Sequence, residues 1–164
     1  MNVWAGILGD HVIGPYIFPE KLTGSTYLIF LREVLPLLLE DVPIEARRNM
    51  WFQQDGCPAH FAGYVRDYLQ DNFPNRWIGR GGVVGWPARS PDLTCLDYFI
   101  WGYIKSLVYE TPVTSTEDLI GRIIDRFGKI RDFPQMLSRV RANMEKRCRA
   151  CVEVDGGIFE PKLN

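Results

Sequence analysis

The stretch "WFQQDGCPAH", residues 51–60, begins with an apolar pair and reaches a carboxylate, Asp55, after two glutamines. Residues 50–54 are predicted to form a short strand, which ends at the turn-forming residues Asp55, Gly56 and Pro58. In open α/β sheets, functional groups lie just past the carboxyl ends of strands, because the loops there are exposed and the strands hold them in place. Asp55 is therefore a candidate functional residue, and turn formation is the alternative role of its Asp-Gly pair.

The residues before this turn predict a hairpin and a buried helix. Residues 2–18 contain two runs rich in β-branched and aromatic side chains, divided by Gly9 and Asp10, which is typical of a β-hairpin. From Ser25 onward, leucines recur at helical spacing, and Pro36 is predicted to kink the helix they form. Residues 41–49 are predicted to be a polar connection.

The residues after the turn predict a second short strand and four helices. The first helix presents the apolar face Phe61, Val65, Tyr68 and Leu69. The stretch "RWIGRGGVVGWPARSPDL" indicates a short strand and a long Gly/Pro loop, and "LDYFIWGYIKSLVY" then indicates an apolar helix. A third helix begins at a capping box, "STED" from Ser115, and a fourth spans about residues 134–151. The third helix is predicted to have one apolar side, formed by Leu119, Ile120, Ile123, Ile124 and Phe127.

Composition limits the class of protein. With 164 residues, 46% of them hydrophobic and 24% charged, the chain is predicted to form one globular α/β domain with extra helices at its C-terminal end. The net charge of −1 gives no global attraction to nucleic acid or membranes, so an anionic partner would need a local basic patch. No segment predicts a signal peptide or a membrane span, which favours an intracellular protein.

The four cysteines are irregularly spaced and are expected to be free thiols in a reducing compartment. Cys148 and Cys151 form a C-x-x-C pair, but zinc usually takes four ligands in such a structural site. The two histidines of the chain are both far from that pair in the sequence. Ordinary core or surface thiols are therefore favoured there.

A second acidic group occurs in "SPDLTCLDYFIW", residues 90–101. Asp97 opens the predicted apolar helix and is the natural partner of Asp55 if that helix packs beside the strand, because Mg²⁺ sites commonly draw carboxylates from different elements. "TCLD" is also a capping box, so Asp97 has a structural alternative role. Asp92, after Ser90 and Pro91, is typical of a cap or a first-turn acid.

Several ordered blocks together resemble the catalytic core of mariner and Tc-like transposases over nearly the whole chain. They are "WFQQDGCPAHFAGYVRDYL", "FPNRWIGRGG", "WPARSPDLTCLDYFIWGYIKSLVY" and "RCRACVEVDGGIFE". The resemblance implies a ribonuclease H-like fold and three acids that hold two divalent ions, Mg²⁺ or Mn²⁺, to cut and join DNA. Asp55 matches the second acid and Asp97 the third, so both are expected to be catalytic residues and metal ligands. His60 is expected either to lie next to the metal ligands and support them, since the family motif has a histidine there, or to cap or orient the turn.

The first acid of the family pattern would lie on a strand upstream of the hairpin that begins at Asn2. Residues 1–164 are therefore interpreted as a single catalytic domain that is truncated at its N-terminus, lacks the first strand of the fold and has no helix-turn-helix region. We expect metal binding to be weaker without that acid, so whether the chain is an enzyme stays open. Two functions remain: a catalytic-core fragment of a DNA transposase, and an inactive remnant that binds nucleic acid or protein.

Basic residues supply candidate DNA contacts. Arg76, Arg80 and Arg89 flank the loop between the second predicted strand and Asp97, and they alternate with Trp77 and Trp86. Arg139 and Arg147 lie on the basic last helix. A solvated helix face and core tryptophans are the structural alternatives. The resemblance implies transposon-end DNA as the partner, action in the nucleus, and a homodimer as a candidate assembly. It implies no membrane and no small-molecule substrate.

Overall fold

The computed structural model describes residues 1–163 of the chain. These residues form two compact units. The first unit comprises Met1–Trp4 and Tyr16–Arg89, and the second comprises Ala5–Pro15 and the residues from Ser90 onward.

The predicted hairpin is confirmed. Strand β1 (Asn2–Leu8) pairs with strand β2 (His11–Phe18) in a two-stranded sheet. Gly9 has a φ of +59°, a left-handed conformation that glycine adopts without steric cost, and this allows the tight turn. The open end of the hairpin, Met1–Trp4 and residues 16–18, belongs to the first unit, and Ala5–Pro15, which includes the turn, belongs to the second.

The predicted leucine-rich helix is also confirmed, and it is interrupted near Pro36. It consists of α1 (Gly24–Ile29), a π-helical turn (Phe30–Val34) and α2 (Leu35–Leu38). Proline has no N–H to donate within a helix, so the regular hydrogen bonding cannot continue through residue 36. Phe30 is almost fully buried and forms the centre of an aromatic cluster with Trp4, Tyr16, Phe18 and Tyr27.

The polar connection contains a short helix that the sequence reading missed, α3 (Ile44–Asn49). α3 has only six residues and none of them is buried, so the sequence has no apolar periodicity that would predict it.

A strand, helix and parallel strand follow in the first unit. β3 (Phe52–Gln53) pairs in parallel with β4 (Trp77–Ile78), and α4 (Gly63–Asn72) connects them. Both predicted strands are confirmed, but β3 is shorter than residues 50–54. On α4, Val65 and Leu69 are fully buried, as the periodicity predicts. This β-α-β arrangement places the turn at Asp55 directly after the end of β3.

Apart from Ala5–Pro15 of the hairpin, the regular elements of the second unit are helices. A π-helical turn (Leu96–Ile100) continues into α5 (Trp101–Val108), and α6 (Thr116–Arg131) and α7 (Pro134–Glu153) follow. Short 3₁₀ turns cover Pro91–Leu93 and Glu160–Leu163. The guanidinium of Arg131 donates to the carbonyls of Val12 and Gly14, which holds the hairpin turn within this unit. Helices α6 and α7 confirm the predicted extra helices at the C-terminal end of the chain.

The start of α6 follows the predicted cap, with one difference in its core face. Ser115 is the N-cap and accepts a hydrogen bond from the Asp118 N–H at 3.1 Å, whereas the Asp118 carboxylate accepts from the backbone N–H of Thr114.

Phe127 is fully buried, but Ile124 is 54% exposed, so the prediction that Ile124 faces the core is wrong. The buried stripe of α6 runs through residues 123, 127 and 130 and excludes residue 124.

Within residues 1–163, every helix is too short or too polar to cross a lipid bilayer.

Candidate metal centre and nucleic-acid contacts

The turn after β3 holds the Asp55 carboxylate through two hydrogen bonds. Its Oδ1 accepts from the Cys57 backbone N–H at 3.0 Å and lies 2.7 Å from Nδ1 of His60. The first bond is the turn-forming role that an Asp-Gly pair predicts, and the second joins the two candidate site residues of this stretch. Asp55 therefore forms the turn and presents an exposed carboxylate at the same time.

His60 lowers the pKa of Asp55. The hydrogen bond from His60 stabilises the ionised carboxylate, and the Cys57 N–H adds to this effect, whereas partial burial acts in the opposite direction. The net result is a carboxylate that stays ionised well into the acidic range. Such a group is suited to bind a cation.

A hydrogen-bond network on the buried side of this turn holds it in place. Gln54 is only 5% exposed, and its Nε2 donates to the His60 carbonyl at 3.0 Å. Its Oε1 accepts from the Tyr27 hydroxyl at 3.1 Å, and the Tyr27 ring lies 4.2 Å from the His60 ring. Burial raises the pKa of Tyr27, which keeps its hydroxyl protonated as the donor. Sequence analysis missed Gln54 and Tyr27, because a side-chain pair 27 positions apart leaves no local pattern.

In the second unit, Asp97 lies in the first turn of the helix that starts at Leu96. The Thr94 hydroxyl donates to Asp97 Oδ2 at 2.8 Å and accepts from the Asp97 N–H at 3.1 Å. These bonds match the capping role that "TCLD" predicts. Thr94 is buried and Asp97 is exposed, so the cap holds a carboxylate at the surface.

Both carboxylates fit the chemistry of a divalent ion such as Mg²⁺, which prefers hard oxygen ligands. Among the described residues, the hydrogen bonds to Asp55 use only Oδ1 and the side-chain bond to Asp97 uses only Oδ2. Each acid thus retains one carboxylate oxygen for a ligand. Asp92, in contrast, offers its backbone carbonyl to the Arg147 guanidinium at 3.2 Å.

The five candidate DNA-binding arginines differ in exposure. Arg80, Arg89 and Arg139 are exposed, and the guanidinium of Arg80 stacks on the Phe61 ring at 4.0 Å. Arg76 donates to the carbonyls of Arg48 and Met50 and is partly buried. Arg147 stacks on the Tyr98 ring at 4.4 Å. Arg76 and Arg147 thus have internal partners, and their contact with DNA stays a prediction.

The two tryptophans that alternate with these arginines, Trp77 of β4 and Trp86 of the loop after it, divide between the two predicted roles. Trp77 is 2% exposed, which supports the core alternative, whereas Trp86 is partly exposed.

In the second unit, Arg139 lines a cavity of about 620 Å³ beside Tyr98 and Phe133. Burial raises the pKa of Tyr98 to about 12, and its hydroxyl donates to the Val140 carbonyl at 2.5 Å.

Comparison with known proteins finds transposases as relatives, although the chain matches no protein-family model. The Tc3 transposable-element transposase of Caenorhabditis elegans is 31% identical over 156 residues, which cover 94% of this chain and 44% of the relative. The Tcb1 transposase of Caenorhabditis briggsae is 22% identical over 159 residues, covering 94% of this chain and 52% of the relative. The catalytic domain of Mos1 mariner transposase superposes with a TM-score of 0.69 at 25% identity, covering 92% of this chain and 69% of that chain.

The chain is homologous to the mariner/Tc-like transposases. The chain matches the catalytic domain of Mos1 mariner transposase and has its ribonuclease H-like fold, so the predicted resemblance and fold class are confirmed. It spans about half the length of the two nematode relatives. The Mos1 catalytic domain has been solved with Mg and with Mn.

Proposed function

We propose that this chain is the catalytic core of a DNA transposase, in which Asp55 and Asp97 are metal ligands for cutting and joining DNA. The observation that carries the proposal is that the chain, which contains these acids in its "QDG" and "SPDLTCLD" blocks, aligns with a transposase over 94% of its length. Both acids are exposed carboxylates that are held in place by buried or partly buried neighbours.

The residues around each acid have separate tasks in this proposal. His60 orients Asp55 and keeps it ionised, and Thr94 orients Asp97. When bound, a pair of divalent ions, Mg²⁺ or Mn²⁺, would activate the attacking oxygen and stabilise the leaving oxygen of a phosphodiester. Carboxylate ligands such as these two acids are the groups that hold such ions.

DNA is the proposed partner, bound through the exposed arginines. Arg80 has its apolar guanidinium face against Phe61, which also carries Arg66 on its ring at 4.6 Å, so two positive charges lie beside one aromatic ring. Arg89 and Arg139 add positive charge on other exposed segments. Such contacts bind the phosphate backbone irrespective of sequence and weaken as salt rises.

The Mos1 mariner protein has also been solved as a paired-end complex with Mn, with a TM-score of 0.68 at 25% identity, covering 92% of this chain and 40% of that chain. By analogy, we extend the proposal to transposon ends as the DNA, to a second copy of the chain as a partner, and to the nucleus as the place of action.

Incubation of the purified chain with supercoiled plasmid tests this function. We expect open-circular product in Mg²⁺ or Mn²⁺, and no product when the metal is chelated, because the carboxylates act through the ions they hold. Nicking that persists in the chelator would contradict the proposal. Salt-sensitive binding of the plasmid without nicking at any metal concentration would instead favour the alternative of an inactive remnant.

A further inference from the structure

Three different metal-binding groups converge at the turn after β3. One ligand atom from each of Asp55, Cys57 and His60 can be chosen so that all three lie within 4.8 Å of one another. A tetrahedral zinc ion, with bonds of about 2.0 Å to nitrogen or oxygen and about 2.3 Å to sulfur, places its ligand atoms about 3.3–3.5 Å apart. Since the atoms lie within 4.8 Å of one another, no pair has to approach by more than about 1.5 Å to reach that spacing.

The surrounding structure already limits the freedom of these groups. The Cys57 N–H donates to Asp55, which fixes the turn from which the thiol projects. The His60 side chain is 14% exposed and rests against the Tyr27 ring, while its carbonyl is held by buried Gln54. A metal ion would therefore bind groups that lose little conformational freedom when they become ligands.

The chemistry of the three ligands selects the metal. Mg²⁺ takes oxygen ligands and does not favour thiolate or imidazole, whereas zinc binds Cys, His and carboxylate groups together. A thiolate also favours softer divalent ions over Mg²⁺ and Mn²⁺. Three protein ligands and one open position for water make up the usual pattern of an accessible zinc site.

From this geometry we infer that Asp55, Cys57 and His60 form a binding site for zinc or another thiophilic divalent ion. The ion bonds to the Cys57 sulfur, a His60 ring nitrogen and an Asp55 oxygen, and water occupies the fourth position. The thiol proton is released to the buffer, because the thiolate is the ligand. Asp55 is also a ligand in the proposed function, so zinc and the catalytic metal would exclude each other there.

Cobalt(II) is the probe for this site, because it replaces zinc and gives a thiolate-to-metal charge-transfer band when a cysteine is a ligand. We expect the native chain to show this band on titration with Co²⁺, and Cys57→Ser to lose it and to bind Co²⁺ at least about tenfold more weakly. Asp55→Asn and His60→Ala should weaken binding but keep the band at saturation. The Cys148→Ser, Cys151→Ser double variant is the matched control and should behave as native.

The inference is overturned if the native chain gives no band at saturating Co²⁺, or if the band survives Cys57→Ser and disappears in the double variant. A second measurement does not depend on any variant: zinc should slow alkylation of Cys57 at least about tenfold, as read by mass spectrometry, and leave Cys148 unprotected. Equal alkylation of Cys57 with and without zinc would contradict the site. Because Mg²⁺ produces neither signal, these results are independent of whether the chain cuts DNA.

Discussion

Asp97→Asn is expected to reduce metal-dependent plasmid nicking by at least about 100-fold, because the amide has the shape of the carboxylate without the charge that holds a divalent ion. The asparagine oxygen can still accept the hydrogen bond from Thr94, so the helix start should remain intact. Asp55→Asn should have the same effect, since its oxygen can still accept from the Cys57 N–H. Initial nicking rates in Mn²⁺, measured with each variant at equal concentration, give the comparison.

Two other acids provide matched controls for this loss. Asp92→Asn lies in the same segment as Asp97, and Asp67→Asn lies on the exposed side of α4. Both remove one negative charge and should nick at the native rate. Native activity in either Asp55→Asn or Asp97→Asn would contradict the role of that acid, and an equal loss in the two controls would show that the effect is not specific to the proposed ligands.

Phe127→Ala is expected to lower the free energy of unfolding by about 3–5 kcal/mol, because it removes a large side chain and leaves a cavity. Phe127 has no exposed surface, and its ring meets the Trp101 ring edge-on at 5.9 Å. Urea denaturation followed by circular dichroism measures the loss. The effect should appear in the helical second unit, where α5 packs against α6.

Ile124→Ala is the control for Phe127→Ala within the same helix. Ile124 is 54% exposed, so its truncation should cost less than about 1 kcal/mol. Similar losses from the two substitutions would mean that the buried stripe of α6 does not run through residue 127.

Helical periodicity and turn residues were sufficient to predict most elements from the sequence, because apolar side chains must face the interior wherever a helix packs. The leucines after Ser25 and the face of α4 are examples. Periodicity is less exact at the edge of a stripe. At 100° per residue, Ile123 and Ile124 are neighbours on α6, and only the packing partner decides that Ile123 is buried and Ile124 is exposed.

Contacts between distant residues explain what the sequence could not predict. Tyr27 and Gln54 are buried partners under Asp55, but neither belongs to a local pattern that indicates this role. Charge alone also does not predict which arginines are exposed. Arg76 donates to the carbonyl of Arg48, whereas Arg80, four residues further on, is exposed. The convergence of Cys57 with Asp55 and His60 depends on the folded turn and is likewise absent from their spacing alone.

Binding of Mn²⁺, followed through the paramagnetic resonance signal of the free ion, tests the role of the two acids most directly because it requires no catalysis. If Asp55 and Asp97 are metal ligands, Asp55→Asn and Asp97→Asn should each weaken Mn²⁺ binding at least about tenfold, whereas Asp67→Asn and Asp92→Asn should bind as the native chain does. Native affinity in both Asp55→Asn and Asp97→Asn would contradict the assignment of these acids as metal ligands.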